Sequence, residues 1–372
     1  WRMAHNPPIP ARIDFADRLG VLIMDENRDF GGHKGQGGWT SETVDQEVID
    51  MGDMVQRDRG HASVFIWSFC NEVGCDNETA AAAFRNISYF YDGTRGVTQN
   101  HLGTISEQSL DVQGFSHKSG STFDKFHSEH PTEPMMATEC GSCLSQRGED
   151  SDACPVPRTC VGSACHVDCA HDGKAEQSNG TFYNNEISQC TAQQVNESDS
   201  RKFVAGTFVW SGFDYLGEAR GWPQTVKPRG VITDIAGFKK ETYFWLRSWW
   251  LSNIDEKDAG RPPLPVDTTV FIVDTWRLGL KADGTPMNST RNIHVYSDAP
   301  FVSIQVNGKE VVPKTAMPGY MNGNFPVPAL LKQSLYHCIV TPSCALIQSR
   351  DPGACHSSVQ SFVTESFVRR RR

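Results

Sequence analysis

No stretch of this chain approaches the roughly 20 consecutive apolar residues that a membrane-crossing helix requires, which excludes such a span within it. Positive charge is also short: 35 Lys and Arg face 44 Asp and Glu, a formal net charge of −9. That balance argues against nucleic acid as a partner. No secretory leader is visible. The chain opens on Trp1 inside what reads as a strand, so any targeting segment is expected to be missing from it. Paired C-x-x-C knuckles at finger spacing are absent as well, which weakens a structural zinc reading.

Cysteine itself is plentiful. Of twelve, seven fall between Cys140 and Cys190, in a segment rich in Gly, Ser, Asp and Asn. The even count and the clustering favour disulfides formed in an oxidising compartment. Zinc held by Cys160, Cys165, His166, Cys169 and His171 is the rival reading. Five N-x-S/T sequons, beginning at Asn77, Asn86, Asn179, Asn196 and Asn288, point with the cysteines to a secreted, secretory-pathway or vacuolar protein. At 372 residues with 38% hydrophobic and 10% aromatic content, the chain has enough material for one large soluble domain plus a smaller one.

From the start to about residue 250, short apolar runs alternate with amphipathic stretches, as βα units do. Strands are expected at Trp1–Ala4, Val21–Met24, Val64–Phe69, Gly96–Gln99, Leu110–Gly114, Met135–Thr138 and Val204–Trp210. Helices are expected over Pro10–Leu19 and over Ser41–Gly60, where Val44, Val48, Met51 and Val55 recur near helical spacing. Residues 143–200 read as a polar, Cys-rich insertion. Past Pro262, Pro263 and Pro265 the texture changes to alternating strands at Thr269–Val273, Asn292–Tyr296 and Val302–Val306, with Asn307-Gly308 as a hairpin turn signal. From about residue 332 to the Arg369–Arg372 run no strand rhythm is seen, and the segment is expected to be an irregular basic tail.

Two of the expected strands end on a glutamate. Ser63–Glu72, SVFIWSFCNE, is an apolar run that reads as a strand covered on both faces and stops in an Asn-Glu pair. Pro134–Glu139, PMMATE, repeats the arrangement. Carboxylates at the C-terminal ends of barrel strands sit where barrel enzymes place their chemistry. Two there suit a glycosidase, one as a protonated acid and the other as an ionised nucleophile. For an isolated glutamate, a helix cap or an arginine pair is the plainer reading.

The motifs WRMAHNPP, LGVLIMDEN, RDRGHASVFIWSFCNE, MMATECGS and GTFVWSGFDYLGE, in this order, resemble glycoside hydrolase family 2, which includes β-galactosidases, β-glucuronidases and β-mannosidases. Thr275–Leu278 and Val302–Glu310 are similar to the β-sandwich that follows the barrel in that family. The resemblance implies an α/β fold: a (β/α)8 TIM barrel over residues 1–255 lacking its first strand, and a partial all-β Ig-like sandwich over 265–331. The chain is accordingly expected to be a fragment of a larger enzyme. Carried over by motif, Glu72 matches the general acid/base, Glu139 the nucleophile, Asn71 a partner of the sugar 2-hydroxyl, His5 and Trp210 the walls of the sugar subsite, and Arg2 a cation beside the nucleophile. Asp25 and Glu26 are expected to support the site.

There are departures from the family pattern. Where the family usually carries an Asn-Tyr pair, this chain reads Gly114, Phe115, Ser116, His117, with His117 as a substitute donor. Cys140 follows the nucleophile and is a candidate for a disulfide constraining the loop. Some members hold magnesium near the site, but no ligand set in this sequence compels one, and no cofactor is expected. The resemblance implies a retaining exo-β-glycosidase acting on β-galactosides, with β-mannosidase, β-glucuronidase or a non-catalytic carbohydrate-binding remnant as alternatives.

Overall fold

The computed structural model describes residues 1–28, 41–72, 74–101, 103–104, 109–140, 191, 195–216, 226–227, 229–252, 268–272, 290–306, 309–317, 322–328, 337–343 and 360–363. Described residues up to Trp210, Thr191 apart, form one compact unit, and those from Ser211 onward, with Thr191, form a second.

The first unit runs α1 (Pro10–Leu19), β1 (Ile23–Glu26), α2 (Ser41–Asp58), β2 (Val64–Glu72), α3 (Glu78–Tyr91), β3 (Val97–His101), β4 (Gln113–Ser116), α4 (Gly120–Glu129), β5 (Met135–Cys140) and β6 (Val204–Val209). The strands form one sheet in chain order, and every neighbouring pair is parallel. Trp1–Ala4, expected as a strand, contributes a single parallel bridge from Arg2 to Met24. Local chemistry sets the helix ends. Pro10 opens α1 with a φ already suited to the helix, and Gly20, at φ 70°, closes it by returning its N–H to the Ala16 carbonyl. Asn77 caps α3 by accepting from the Ala80 N–H.

Alternation along the strands divides the side chains between two faces. On the helix-covered face, Ile23, Trp67, Phe69, Cys70 and Val97 pack with Met51, Val55 and Phe84. Further along, Phe115, Met135, Ala137, Cys140 and Val204 pack with Phe123 and Phe126 of α4. Met24, Ile66 and Met136 form a separate inner cluster, flanked by Val112 and Phe208.

Of the register irregularities in this sheet, two place an extra residue beside the glutamates. On β2, Ser68 pairs with Thr98 and Asn71 with Asn100, so Phe69 and Cys70 together oppose Gln99. On β5, Ala137 pairs with Thr207 and Cys140 with Val209, so Thr138 and Glu139 together oppose Phe208. Such an extra residue re-aims the side chains that follow it. Cys70 thereby stays with the helix-side core and Asn71 turns inward. Thr138 and Glu139 face the interior in succession.

In the second unit, β7 (Tyr215–Leu216) and β8 (Val226–Lys227) form a short antiparallel pair, followed by α5 (Glu241–Ser252). Two antiparallel sheets come after it. One orders β13 (Asn322–Pro328), β10 (Thr290–Ser297) and β9 (Val270–Ile272). The other orders β12 (Lys309–Ala316), β11 (Phe301–Val306), β14 (His337–Ser343) and β15 (Gln360–Val363). Val270, Ile272 and Val295 of one sheet share a core with Val302, Ile304 and Val312 of the other.

The segment from residue 332, expected to be irregular, carries β14 and β15. Pro342 in HCIVTPS obscured β14 in the sequence, because proline within a run argues against a paired strand. The run nonetheless pairs with β11 on one side and β15 on the other. The Cys-rich segment 143–190, Thr275–Leu278, Asn307-Gly308 and Arg369–Arg372 lie outside the described residues. No helix among the described residues is long and apolar enough to cross a membrane.

Candidate active site

The C-terminal ends of β1 to β6 bring one polar constellation together. Arg2 lies at its centre, held beside β1 by its bridge to Met24. Its guanidinium donates in a fork to Glu26, from Nε to Oε2 at 2.7 Å and from Nη2 to Oε1 at 2.7 Å. Nη1 donates to Glu139 Oε2 at 2.5 Å, and Nη2 also donates to Asn71 Oδ1 at 2.8 Å. His5 Nδ1 sits 3.1 Å from Nη2. Arg2, Glu26, Asn71 and Glu139 are all buried. Removing these charges from water is tolerable because each meets an opposite charge or a hydrogen-bonding partner.

Glu139 is surrounded by donors. Asn100 Nδ2 donates to its Oε2 at 3.0 Å, beside Arg2. His117 Nε2 lies 3.0 Å from its Oε1. Burial alone pulls the Glu139 carboxyl upward, but the His117 hydrogen bond and the charge of Arg2 outweigh it and hold the group at about 2. It is therefore ionised at neutral pH.

Glu72 has a different environment. It is half-buried, with φ at 55°, and accepts from the Ser116 hydroxyl at 2.8 Å. His117, itself at φ 48°, stands between the two carboxylates, its Nε2 being 3.7 Å from Glu72 Oε1. One oxygen each of Glu72 and Glu139, together with the His117 nitrogen, lie within 4.8 Å of one another. A Cys70–Cys75 disulfide encloses the turn on which Glu72 sits.

Asn71 is fixed from two sides. Its Oδ1 accepts from Arg2 and, at 2.7 Å, from Asn100 Nδ2. Thr138 in turn donates to Asn100 Oδ1 at 2.8 Å. That network sets the amide orientation and leaves the Asn71 NH2 group for other partners. The His5 and Trp210 rings stack with centroids 5.0 Å apart and planes inclined by 19°, making an aromatic wall.

All seven residues singled out in the sequence, Arg2, His5, Asn71, Glu72, His117, Glu139 and Trp210, thus belong to one cluster. Asn100, Ser116 and Thr138 were not singled out. The available signal was an uncharged polar residue at the end of a buried strand in a parallel sheet, as in VTQNH. Asp25 and Glu26 part company, since adjacent strand residues face opposite ways. Glu26 supports Arg2 and accepts from Ser68 at 3.0 Å. Asp25 faces Asp58 of α2; burial first, and then that carboxylate, push it up to about 8. Cys140, expected as a disulfide partner, is a free buried thiol. The β5 irregularity turns it to the helix-covered face among Phe115, Phe123 and Phe126, and burial raises its pKa.

Comparison with known proteins agrees with this architecture. Residues 1–145 match the model described as glycosyl hydrolases family 2, TIM barrel domain. The β-galactosidase BoGH2A of Bacteroides ovatus is 26% identical over 310 residues, covering 67% of this chain and 34% of that protein. A putative β-glucuronidase of Formosa agariphila is 27% identical over 271 residues, covering 67% of this chain and 25% of that protein. The crystal structure of a β-glycosidase from Bacteroides vulgatus superposes with a TM-score of 0.71 at 21% identity, over 98% of this chain and 45% of that one, a likeness of fold alone. The chain spans about a third or less of the length of these two curated relatives. Residues 1–145, with their βα units and parallel sheet, thus match the TIM barrel domain of glycosyl hydrolases family 2.

Proposed function

We propose that this chain carries the catalytic centre of a retaining exo-β-glycosidase that releases terminal β-D-galactosyl residues by double displacement. The observation that carries the reading is the pair of carboxylates with oxygens within 4.8 Å of each other, since retaining glycosidases hold theirs about 5 to 5.5 Å apart. Their environments differ in the sense the mechanism needs. Glu139, ionised beside Arg2, is the nucleophile that attacks the anomeric carbon. Glu72, half-exposed and hydrogen-bonded by Ser116, protonates the departing oxygen and later takes the proton of the incoming water. Asn71 presents its NH2 to the sugar 2-hydroxyl, and His5 with Trp210 forms the wall of the subsite. His117 holds the oxygen of Glu139 that Arg2 leaves free.

The test is intact-mass analysis and peptide mapping after incubation with 2-deoxy-2-fluoro-β-galactosyl fluoride. A glycosyl adduct on Glu139 is the expected result, and Glu139→Gln is expected to abolish both adduct and turnover. Unchanged turnover in that variant would overturn the assignment. A second reading, β-glucuronidase, is favoured by the name of the Formosa agariphila relative, and labelling by the corresponding glucuronyl reagent alone would select it.

We read residues 1–255 as the barrel domain with a Cys-rich insertion at 143–200 and 265–331 as an Ig-like sandwich, whose second sheet extends into β14 and β15 of the segment that follows. The core shared by the two antiparallel sheets supports the sandwich. The Cys70–Cys75 disulfide and the sequons support a secretory route.

A further inference from the structure

Glu72, His117 and Glu139 have the makings of a chelate as well as of a catalytic pair. Among the described residues they are a group of His and carboxylate side chains whose ligand atoms converge within 4.8 Å. His117 Nε2 is 3.0 Å from Glu139 Oε1 and 3.7 Å from Glu72 Oε1. In a tetrahedral zinc site with bonds of about 2.0 to 2.2 Å, ligand atoms stand roughly 3.4 Å apart. The two separations from His117 lie close to that value, the third, between the carboxylates, is within 4.8 Å, and the remaining closure falls on Glu72, the half-buried partner.

The surrounding contacts favour the same occupant. Arg2 and Asn100 both bind Glu139 Oε2, which leaves Oε1 pointing at the imidazole. Positive φ angles at Glu72 and His117 bring both side chains round to it. One imidazole nitrogen with two carboxylate oxygens suits a borderline transition metal; magnesium and calcium prefer larger sets of oxygens.

We propose that Glu72, His117 and Glu139 chelate a divalent transition metal, Zn2+ foremost, and that the bound ion shuts sugar out of the centre. The chelation stands whether or not the chain hydrolyses glycosides; only the exclusion of sugar rests on the proposed function.

The experiment is calorimetric titration of Zn2+ into the full chain after chelator treatment, with Co2+ absorption as a second readout, for the unmodified protein and for His117→Ala and Glu72→Gln. Each variant is expected to lose one equivalent of tight binding, with affinity at that site falling about 100-fold, the upper end of what even loss of a residue one step removed from a metal costs. The Co2+ spectrum of that equivalent is expected to lack the thiolate charge-transfer band that a cysteine site would give. Variants that keep a native circular dichroism spectrum and unchanged Zn2+ stoichiometry and affinity would overturn the site, as would a thiolate band for every equivalent bound. Zn2+ is further expected to slow labelling of Glu139 by the fluorosugar. Undiminished labelling with Zn2+ bound would overturn the exclusion, whereas no labelling in metal-free protein counts against the hydrolase reading and leaves chelation standing.

Discussion

Arg2 decides the charge state of the centre. Its guanidinium joins Glu26, Asn71 and Glu139, a geometry that lysine, with a single ammonium, does not reproduce. Arg2→Lys is expected to leave one carboxylate without its fork and to raise the Glu139 pKa from about 2. The consequence for stability has a definite sign. A carboxylate whose pKa is depressed on folding stabilises the fold above its unfolded value, from 4.5 upward, and loses that contribution as pH falls through about 2. In the variant the contribution is smaller, and its loss, which still begins near 4.5, is complete at a higher pH. Activity is expected to drop about 100-fold, the cost of a displacement of about 1 Å in a positioned site, and the acid limb of the kcat/KM profile to move upward. An acid limb that stays in place would mean that Arg2 does not control Glu139.

At the scale of elements, two positions are exposed to simple tests. Cys70 and Cys75 clasp the turn that carries Glu72, with Cα atoms 5.8 Å apart and both side chains buried. Closing so short a loop contributes about 2 kcal/mol on chain-entropy grounds, and the clasp also holds the positive φ of Glu72. The pair Cys70→Ser with Cys75→Ser is expected to lower the melting temperature and to reduce kcat by more than it changes KM. A kcat equal to the parent's would show that the turn holds Glu72 without the bond. Gly114, on β4, is the second position. A Cβ there would stand 1.7 Å from the Gln99 carbonyl oxygen of β3 and 2.8 Å from Thr138 Cγ2 of β5. Gly114→Ala is therefore expected to cost about 3 kcal/mol or more, since forcing atoms into a packed interior costs 1 to 3 and backbone gives less readily than side chains. Denaturant melts would measure it, and a loss under 1 kcal/mol would mean the strands separate freely.

These elements also show what the sequence can and cannot disclose. Apolar runs between amphipathic stretches located the six strands of the parallel sheet, because a strand covered on both faces has to be apolar along its length. The ends of those runs then pointed to Glu72 and Glu139. The extra residues on β2 and β5 were invisible, because a two-residue alternation carries no mark of one additional residue. For that reason Cys140 read as a neighbour of the site, while the structure puts it in the helix-side core. Asn100 went unnoticed for another reason: its importance comes from contacts with Asn71 and Glu139, 29 and 39 residues away, which no local pattern encodes.

For the molecule as a whole, charge bears on the choice between a neutral and an anionic sugar. The net charge is −9, and the guanidinium at the heart of the cluster is already taken up by Glu26 and Glu139. A negative protein repels an anionic glucuronide at a distance, and salt screens that repulsion within about 10 Å at 0.1 M ionic strength. A neutral galactoside feels no such field. If the enzyme accepts both, kcat/KM for the glucuronide is expected to rise between low and high salt, while that for the galactoside stays flat. The galactoside series also controls for any general effect of salt on the fold. A glucuronide whose kcat/KM falls with salt would mean that a local cation recognises its carboxylate strongly enough to override the field, and would turn the assignment towards β-glucuronidase.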